Sequence, residues 1–466
     1  MRFAVRLLAL AAALCGLAAA PAPDPLAALA DANGHPAALH LLATGTRVLE
    51  GRTVVTTFDQ LGTRRLLRRC IAGVCGGTWF DGTTQFTFGL NEIALPEESD
   101  ATVLTERTLA AIASYAFAEP AFRSSGGTVV AAGPGRWRVR AHDGIDLIAV
   151  VDPAAHALRR VETPEGRLVA TYARETKAGG ASFALDRNGP FEAGPLDAVA
   201  VSSDPLDPPA GPVPALAGDP AVPLDSEPVP IVPCGLGGHN LRCLLDTGAT
   251  PSAITLSVAE TLNLEPHGEL EISGIGSFAT GFVEAGPLQL GPARFASARF
   301  AVIPPSSAAP FDVVVGSDLL ARMRLVLDHA HHVARILPSG GSAPADAVHL
   351  TFRAGSPIVQ TMFGPQGARA LLDTGDQAVL SFGYAAYREG PQWAIVGRGQ
   401  ALGVGGGADD AFTVEIPEVH VGPVTVGKTR ATVRRTQSVA HVGVGLWDRF
   451  LVDLDEAAGR LTLTTR

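Results

Sequence analysis

Short apolar runs bounded by turn-forming residues dominate the stretch 24–200. "GRWRVRA" at 135–141 and "IDLIAVVD" at 145–152 are two of them, joined across His142, Asp143 and Gly144. Turn residues between two such runs predict a β-hairpin. "HALRRVET" and "RLVATYAR" repeat the arrangement across Pro164, Glu165 and Gly166. One helix is predicted over about 103–118, "VLTERTLAAIASYAFA". The pattern then stops. Residues 202–230 are rich in Pro, Asp and Ala and show no apolar period, which marks a linker, placed at 201–226. A smaller break, "PSGGSAPADA" at 338–347, divides the remainder into 227–337 and 348–466.

Each of these last two segments drives an apolar strand into a carboxylate. "LRCLLDTGAT" at 241–250 ends in Asp246, Thr247 and Gly248, and "ARALLDTGDQ" at 368–377 ends in Asp373, Thr374 and Gly375. A buried carboxylate is unfavourable unless it is paired or hydrogen-bonded. Two in matched settings suggest that they need each other. The spacing extends the match. Gly316 in "DVVVGSDLL" follows Asp246 at the interval at which Gly443 in "AHVGVGLWD" follows Asp373, and Asp328 and Asp455 share a second interval. "ISGIGSFA" at 272–279 mirrors "ALGVGGGA" at 401–408, and "LQLGPARF" mirrors "VHVGPVTV". Self-similarity at fixed offsets is the signature of an internal repeat.

The repeated unit resembles the aspartic protease family, specifically its retropepsin-like and pepsin-like members, over about 227–466. There each lobe supplies an apolar strand, Asp-Thr-Gly, a Gly-rich flap hairpin and an apolar-apolar-Gly segment beneath the aspartate. Here these pieces are Asp246-Thr247-Gly248, a flap at Gly274, Ile275 and Gly276, and Val314-Val315-Gly316. In the second unit they are Asp373-Thr374-Gly375, a flap at Gly403, Val404 and Gly405, and Val442-Gly443. The resemblance implies a mainly β fold, a two-lobed acid-protease-like pair of β-barrels whose lobes pair within one chain. It implies Asp246 and Asp373 as the catalytic dyad, with Thr247 and Thr374 locking it by bonds to the opposite lobe. It also implies a peptide or protein substrate and no cofactor.

The chemistry explains the residue types. Two close carboxylates cannot both ionise, so they share one proton. One then activates water while the other polarises the scissile carbonyl. Glycine after the threonine lets the chain turn tightly and brings backbone N–H groups to the carboxylates. Two departures bear on activity. Asp376 stands where the family usually has Ala, Ser or Thr; pointing inward it would add a third negative charge, and pointing outward it would be screened. The flaps lack an aromatic tip, although Phe278 lies near one.

Composition adds limits. The chain is 47% hydrophobic with 52 Gly and 35 Pro, which favours many turns, and its net charge of −10 argues against nucleic-acid partners. Arg2 and Arg6, an apolar core from Leu7 to Leu17, and Ala18 to Ala20 read as a signal peptide over 1–20. No later run is long and apolar enough for stable membrane insertion. The expected destination is periplasmic or secreted, where disulfides persist. Cys70 and Cys75, and Cys234 and Cys243, are each close enough to bridge locally, although four cysteines allow three pairings.

Other signals are weaker. "HAHH" at 329–332 lacks a ligand in its repeat counterpart "EAAG", so no metal site is expected. "GVGGGA" at 403–408 precedes a strand pattern rather than the helix a dinucleotide site needs. The strands and early helix of 24–200 resemble the half-barrel of periplasmic lipoprotein-carrier-like proteins; the plainer reading is an exported β-rich accessory domain. Three functions therefore compete: an exported aspartic endopeptidase, a peptide-binding protein of the same fold without catalysis, and a lipid- or lipoprotein-binding protein acting through residues 24–200.

Overall fold

The structure is a computed structural model that describes residues 24–97, 100–225, 229–304, 311–342, 344–403 and 407–466. The signal segment, Val404 and Gly405 lie outside the described residues. The fold is mainly β.

Residues 40–201 build two seven-stranded sheets. In the first, strands from His40–Leu49 to Leu95–Glu97 follow one another in chain order, and Ala198–Val201 closes the free edge beside His40–Leu49. In the second, strands from Thr128–Gly133 to Gly194–Pro195 also run in order. Short turns favour neighbours of this kind. Helices Pro25–Asn33 and Asp100–Ala113 bury Leu26, Leu29, Leu109 and Ile112 against Val139, Leu147 and Val161 of the second sheet. The helix predicted over 103–118 stops short at Ala113. Tyr115 adopts φ +57°, its ring is buried, and its hydroxyl accepts the Leu158 N–H at 2.7 Å. A tertiary hydrogen bond thus ends the helix before its apolar pattern does.

Charge is buried between the two sheets. Arg65 from the first sheet and Arg187 from the second both bond to Glu192, at 3.1 and 2.6 Å, and Tyr172 donates to the same carboxylate at 2.8 Å. The two arginines hold the Glu192 carboxyl below its usual range against the opposing effect of burial.

The Pro-rich stretch read as a linker carries two short strands. Ala215–Leu216 pairs with Ala293–Phe295, and Ala221–Pro223 pairs with Val333–Pro338. Edge strands tolerate proline because one row of N–H groups faces away from the ladder.

Residues 215–466 form a ten-stranded and an eight-stranded sheet, with a six-stranded sheet joining them. The joining sheet takes Met323–Asp328 and Val333–Pro338 from the first repeat, and Phe450–Asp455 and Arg460–Thr465 from the second. Its central contact, Met323–Asp328 against Phe450–Asp455, therefore crosses between the repeats. Both cysteine pairs are bridged, Cys70 to Cys75 and Cys234 to Cys243. The second bridge ties the hairpin of Ile231–Leu236 and His239–Asp246, which carries the first aspartate.

Glu456, at the end of this joining sheet, is buried. Burial, backed by the charges of Asp318 and Asp455, pushes its carboxyl up to about 8. An unfolded glutamate titrates near ~4.3. The folded chain therefore keeps a proton that the unfolded chain releases, and stability falls as pH rises through that window. Glu456→Gln is expected to gain on the parent in urea denaturation as pH rises from about 5 to 8, by roughly 3–4 kcal/mol at the upper end. A difference independent of pH would show that Glu456 ionises as freely folded as unfolded.

Candidate active site

Both aspartates end a central strand in the same register. His239–Asp246 lies parallel to Val313–Gly316, with Asp246 opposite Gly316; Gln366–Asp373 lies parallel to Ala440–Gly443, with Asp373 opposite Gly443. The glycines are there for want of room. A Cβ on Gly316 would run into the Ala249 carbonyl oxygen, and one on Gly443 into that of Asp376. This close crossing explains the apolar-apolar-Gly spacing after each Asp-Thr-Gly.

The two Asp-Thr-Gly turns face each other. A Cβ on Gly248 would stand 2.5 Å from the Asp373 carboxyl carbon, and one on Gly375 would stand 2.6 Å from Asp246 Oδ2. Each glycine therefore makes space for the opposite carboxylate, and the two carboxyls hydrogen-bond to each other. The threonines cross-link the turns. Thr247 Oγ1 donates to the Leu372 carbonyl at 2.6 Å and accepts from the Thr374 N–H at 3.1 Å. Thr374 Oγ1 donates to the Leu245 carbonyl at 2.6 Å and accepts from the Thr247 N–H at 3.0 Å. Both hydroxyls are buried, and all four bonds join the two repeats.

Backbone N–H groups hold the carboxylates. Gly248 donates to Asp246 Oδ1 at 2.9 Å; Gly375 and Asp376 donate to Asp373 Oδ1 at 2.9 and 3.1 Å. The two acids nonetheless differ. Burial, and then the neighbouring charge of Asp373, push the Asp246 carboxyl well above the usual range. Burial acts the same way on Asp373, but the hydrogen bond and charge of His441, with the Gly375 N–H, outweigh it and hold that carboxyl low. His441 Nδ1 lies 2.9 Å from Asp373 Oδ2.

Asp376 follows neither course expected of it. It is not an unbalanced third charge, nor does it point into solvent. Its carboxylate accepts the Ala378 N–H at 3.0 Å and the Ser381 hydroxyl at 2.6 Å, and Arg434 Nη2 lies 3.2 Å from it. The side chain is half-buried. His441, Ser381 and Arg434 were not singled out from the sequence. The register shows the signal that was there: His441 sits opposite Leu371 where the first repeat places Val314 opposite Leu244.

Two hairpins occupy the flap positions. His267–Gly274 pairs with Gly276–Ala285 through a turn at Ile275, and Gly274 stands opposite Gly276. Ile395–Leu402 pairs with Ala408–Val421. The tips meet: a Cβ on Gly403 would come within 2.7 Å of the Ile275 Cβ, and Ile275 also lies against Gly407. Glycine suits positions 403 and 407, where a Cβ would meet Ile275.

The amino-terminal region also reaches the site. Asp318, buried next to Gly316 and Ser317, accepts the Ser252 N–H at 2.9 Å and the Asn91 amide at 2.7 Å. Ser252 Oγ in turn accepts the Gly316 N–H at 2.9 Å, and Ser317 Oγ donates to the Thr247 carbonyl at 2.7 Å. Asn91→Ala leaves an Asp318 oxygen without its donor, and is expected to lower stability by about 1–3 kcal/mol. Urea denaturation of the full chain measures this. A change within experimental error would mean that the amide contributes nothing net to the packing of the two regions.

Residues 232–319 match a family model described as aspartyl protease. The match spans the first Asp-Thr-Gly, its flap hairpin and Gly316, and supports an aspartyl protease family and peptidase-like chemistry for that segment. Comparison with curated proteins gives no match.

Proposed function

We propose that the chain is an exported, two-lobed aspartic endopeptidase of the retropepsin-like kind, with both half-sites carried by one polypeptide. The observation that carries this reading is the facing pair Asp246 and Asp373, hydrogen-bonded to each other and cross-locked by Thr247 and Thr374. The matching registers beneath both aspartates support a duplication of the segment that the family model matches. The alanine-rich amino terminus and the two disulfides support export.

The pair holds one proton between two facing carboxyls. A bound water loses a proton to the ionised partner as its oxygen attacks the peptide carbonyl carbon, while the protonated partner donates to the carbonyl oxygen. The site requires neither a metal nor a covalent nucleophile for this chemistry. The meeting hairpin tips suit an extended peptide laid along the site.

The test is incubation of the full chain with a mixed peptide library across pH, with and without a statine-type transition-state inhibitor. Cleavage that the inhibitor suppresses is expected. Peptide binding without cleavage at any pH would favour the non-catalytic reading, and lipid co-purifying with the chain, again without cleavage, would favour the lipid-binding one.

A further inference from the structure

We infer that His441 is a positioning residue that divides the work of the dyad, holding Asp373 as the ionised, water-activating carboxylate and leaving the shared proton on Asp246. For its part in turnover the inference rests on the peptidase reading; for the position of the proton it rests on geometry alone.

The two half-sites match in backbone and differ in side chains. Beneath Asp246 the strand Val313–Gly316 is apolar and buried throughout. Beneath Asp373 the equivalent strand Ala440–Gly443 carries His441. Around it, Asp376 stands at the interval of Ala249, and Ser381 lies opposite His441 where the first repeat places Ala253 opposite Val314. The polar side chains here reach the carboxyl of Asp373 itself, whereas in the first repeat Ser252 bonds Asp318 and Gly316, and Ser317 bonds the Thr247 carbonyl. Asp373 accepts two backbone N–H groups at Oδ1 and an imidazole Nδ1–H at Oδ2. Asp246 is held by backbone N–H groups and meets the carboxyl of Asp373. Donors to a carboxylate favour its charged form, and three exceed what the other partner receives from its own strand and turn.

Three charged groups face His441. They are Asp373 at the end of its neighbouring strand, Asp376 in the following turn at 3.8 Å, and Arg434 at the end of Val424–Arg434 at 3.4 Å. Asp373, Asp376 and His441 bring ligand-type atoms within 4.8 Å of one another. The positive charge among them is already supplied by Arg434, which lies 3.2 Å from Asp376 and is steadied by Gln437 and Ser381. That guanidinium disfavours a bound cation there.

The roles in hydrolysis then follow. Asp373 takes a proton from water as the water oxygen bonds to the carbonyl carbon, and Asp246 gives its proton to the carbonyl oxygen. The resulting gem-diol collapses. One hydroxyl proton returns to Asp246 as the C=O bond re-forms, the C–N bond breaks, and Asp373 passes its proton to the leaving nitrogen. Both carboxyls end as they began, and the products divide one water between them.

The experiment is an NMR titration of the full chain labelled with 13C at the aspartate carboxyls, with Asp246→Asn and Asp373→Asn supplying the assignments. The low step is expected to belong to Asp373 and the high step to Asp246. His441→Val, which installs the residue of the first repeat, is expected to raise the low step by about one pH unit. In His441→Asn an uncharged amide donor takes the Nδ1 position, and most of the shift is expected to be reversed. In cleavage assays the acid limb of kcat/KM should move upward by the same interval in the valine variant, with KM little changed. A low step that belongs to Asp246, or one that His441→Val leaves unmoved, overturns the inference, and the wild-type assignment decides it even if the valine variant fails to fold. Carboxyl steps as stated without any peptide cleavage would uphold the proton's position and sink the peptidase reading; cleavage with unmoved steps would do the reverse.

Discussion

Asp246→Asn and Asp373→Asn are each expected to lower kcat/KM by roughly 10³-fold or more, because an amide cannot exchange the shared proton. Neither change alters side-chain volume, so the fold should survive both. Their effects on stability should differ in sign. The Asp246 carboxyl is pushed up by burial and by its neighbour's charge, so its ionisation destabilises the folded chain as pH rises above the unfolded value near ~3.9. Replacing it removes that loss, and the thermal midpoint at neutral pH should hold or rise. The Asp373 carboxyl is held low, which stabilises the folded chain above the unfolded value and is lost as pH falls through the folded one. Asp373→Asn should therefore lower the neutral-pH midpoint. Cleavage kinetics with thermal melts of the same preparations measure both effects. Near-full activity in either variant would mean that the two aspartates do not form one site.

The second large effect concerns the threonines. Thr247→Val keeps the volume and removes one hydroxyl. It leaves the Leu372 carbonyl and the Thr374 N–H unpaired, both at a buried junction between the repeats. Two orphaned backbone groups at about 1–3 kcal/mol each predict a loss of roughly 3–5 kcal/mol. Thr374→Val should cost a similar amount through the Leu245 carbonyl and the Thr247 N–H. Activity should fall in both, since a small misplacement of reacting groups has large rate consequences. The double variant should lose less than the sum, because each hydroxyl bonds the backbone beside the other. Urea denaturation of the three variants measures this. A loss below about 1 kcal/mol in either single variant would show that the turns are held by something other than their threonines.

The parts of this architecture that were legible in the sequence are those where sterics leave few choices. Gly316 and Gly443 announce a strand crossing with no space for a Cβ, and their equal distances from Asp246 and Asp373 reveal matched registers. The hairpins of residues 135–178 were legible for a related reason, since turn residues interrupt each apolar run. What stayed hidden depends on contacts between distant segments. The helix ending at Ala113 answers to the Leu158 backbone, 43 positions from Tyr115. Asp318 looks like a surface helix residue until Asn91, 227 positions away, donates to it. Asp376 invited a choice between a free charge and a solvated one, and the deciding partner, Arg434, lies on another strand. The linker assignment failed to foresee two short edge strands because proline-rich segments give no apolar period even when they pair.

That a single composite site serves each chain is tested most directly by titrating peptide cleavage with a tight-binding statine-type inhibitor at enzyme concentrations far above its Kd. With Asp246 and Asp373 facing each other within one polypeptide, activity should vanish at one equivalent of inhibitor per chain, and the protein should sediment as a monomer at the same concentration. An end point at half an equivalent, with a dimer in solution, would mean that sites are assembled between chains and would contradict the account.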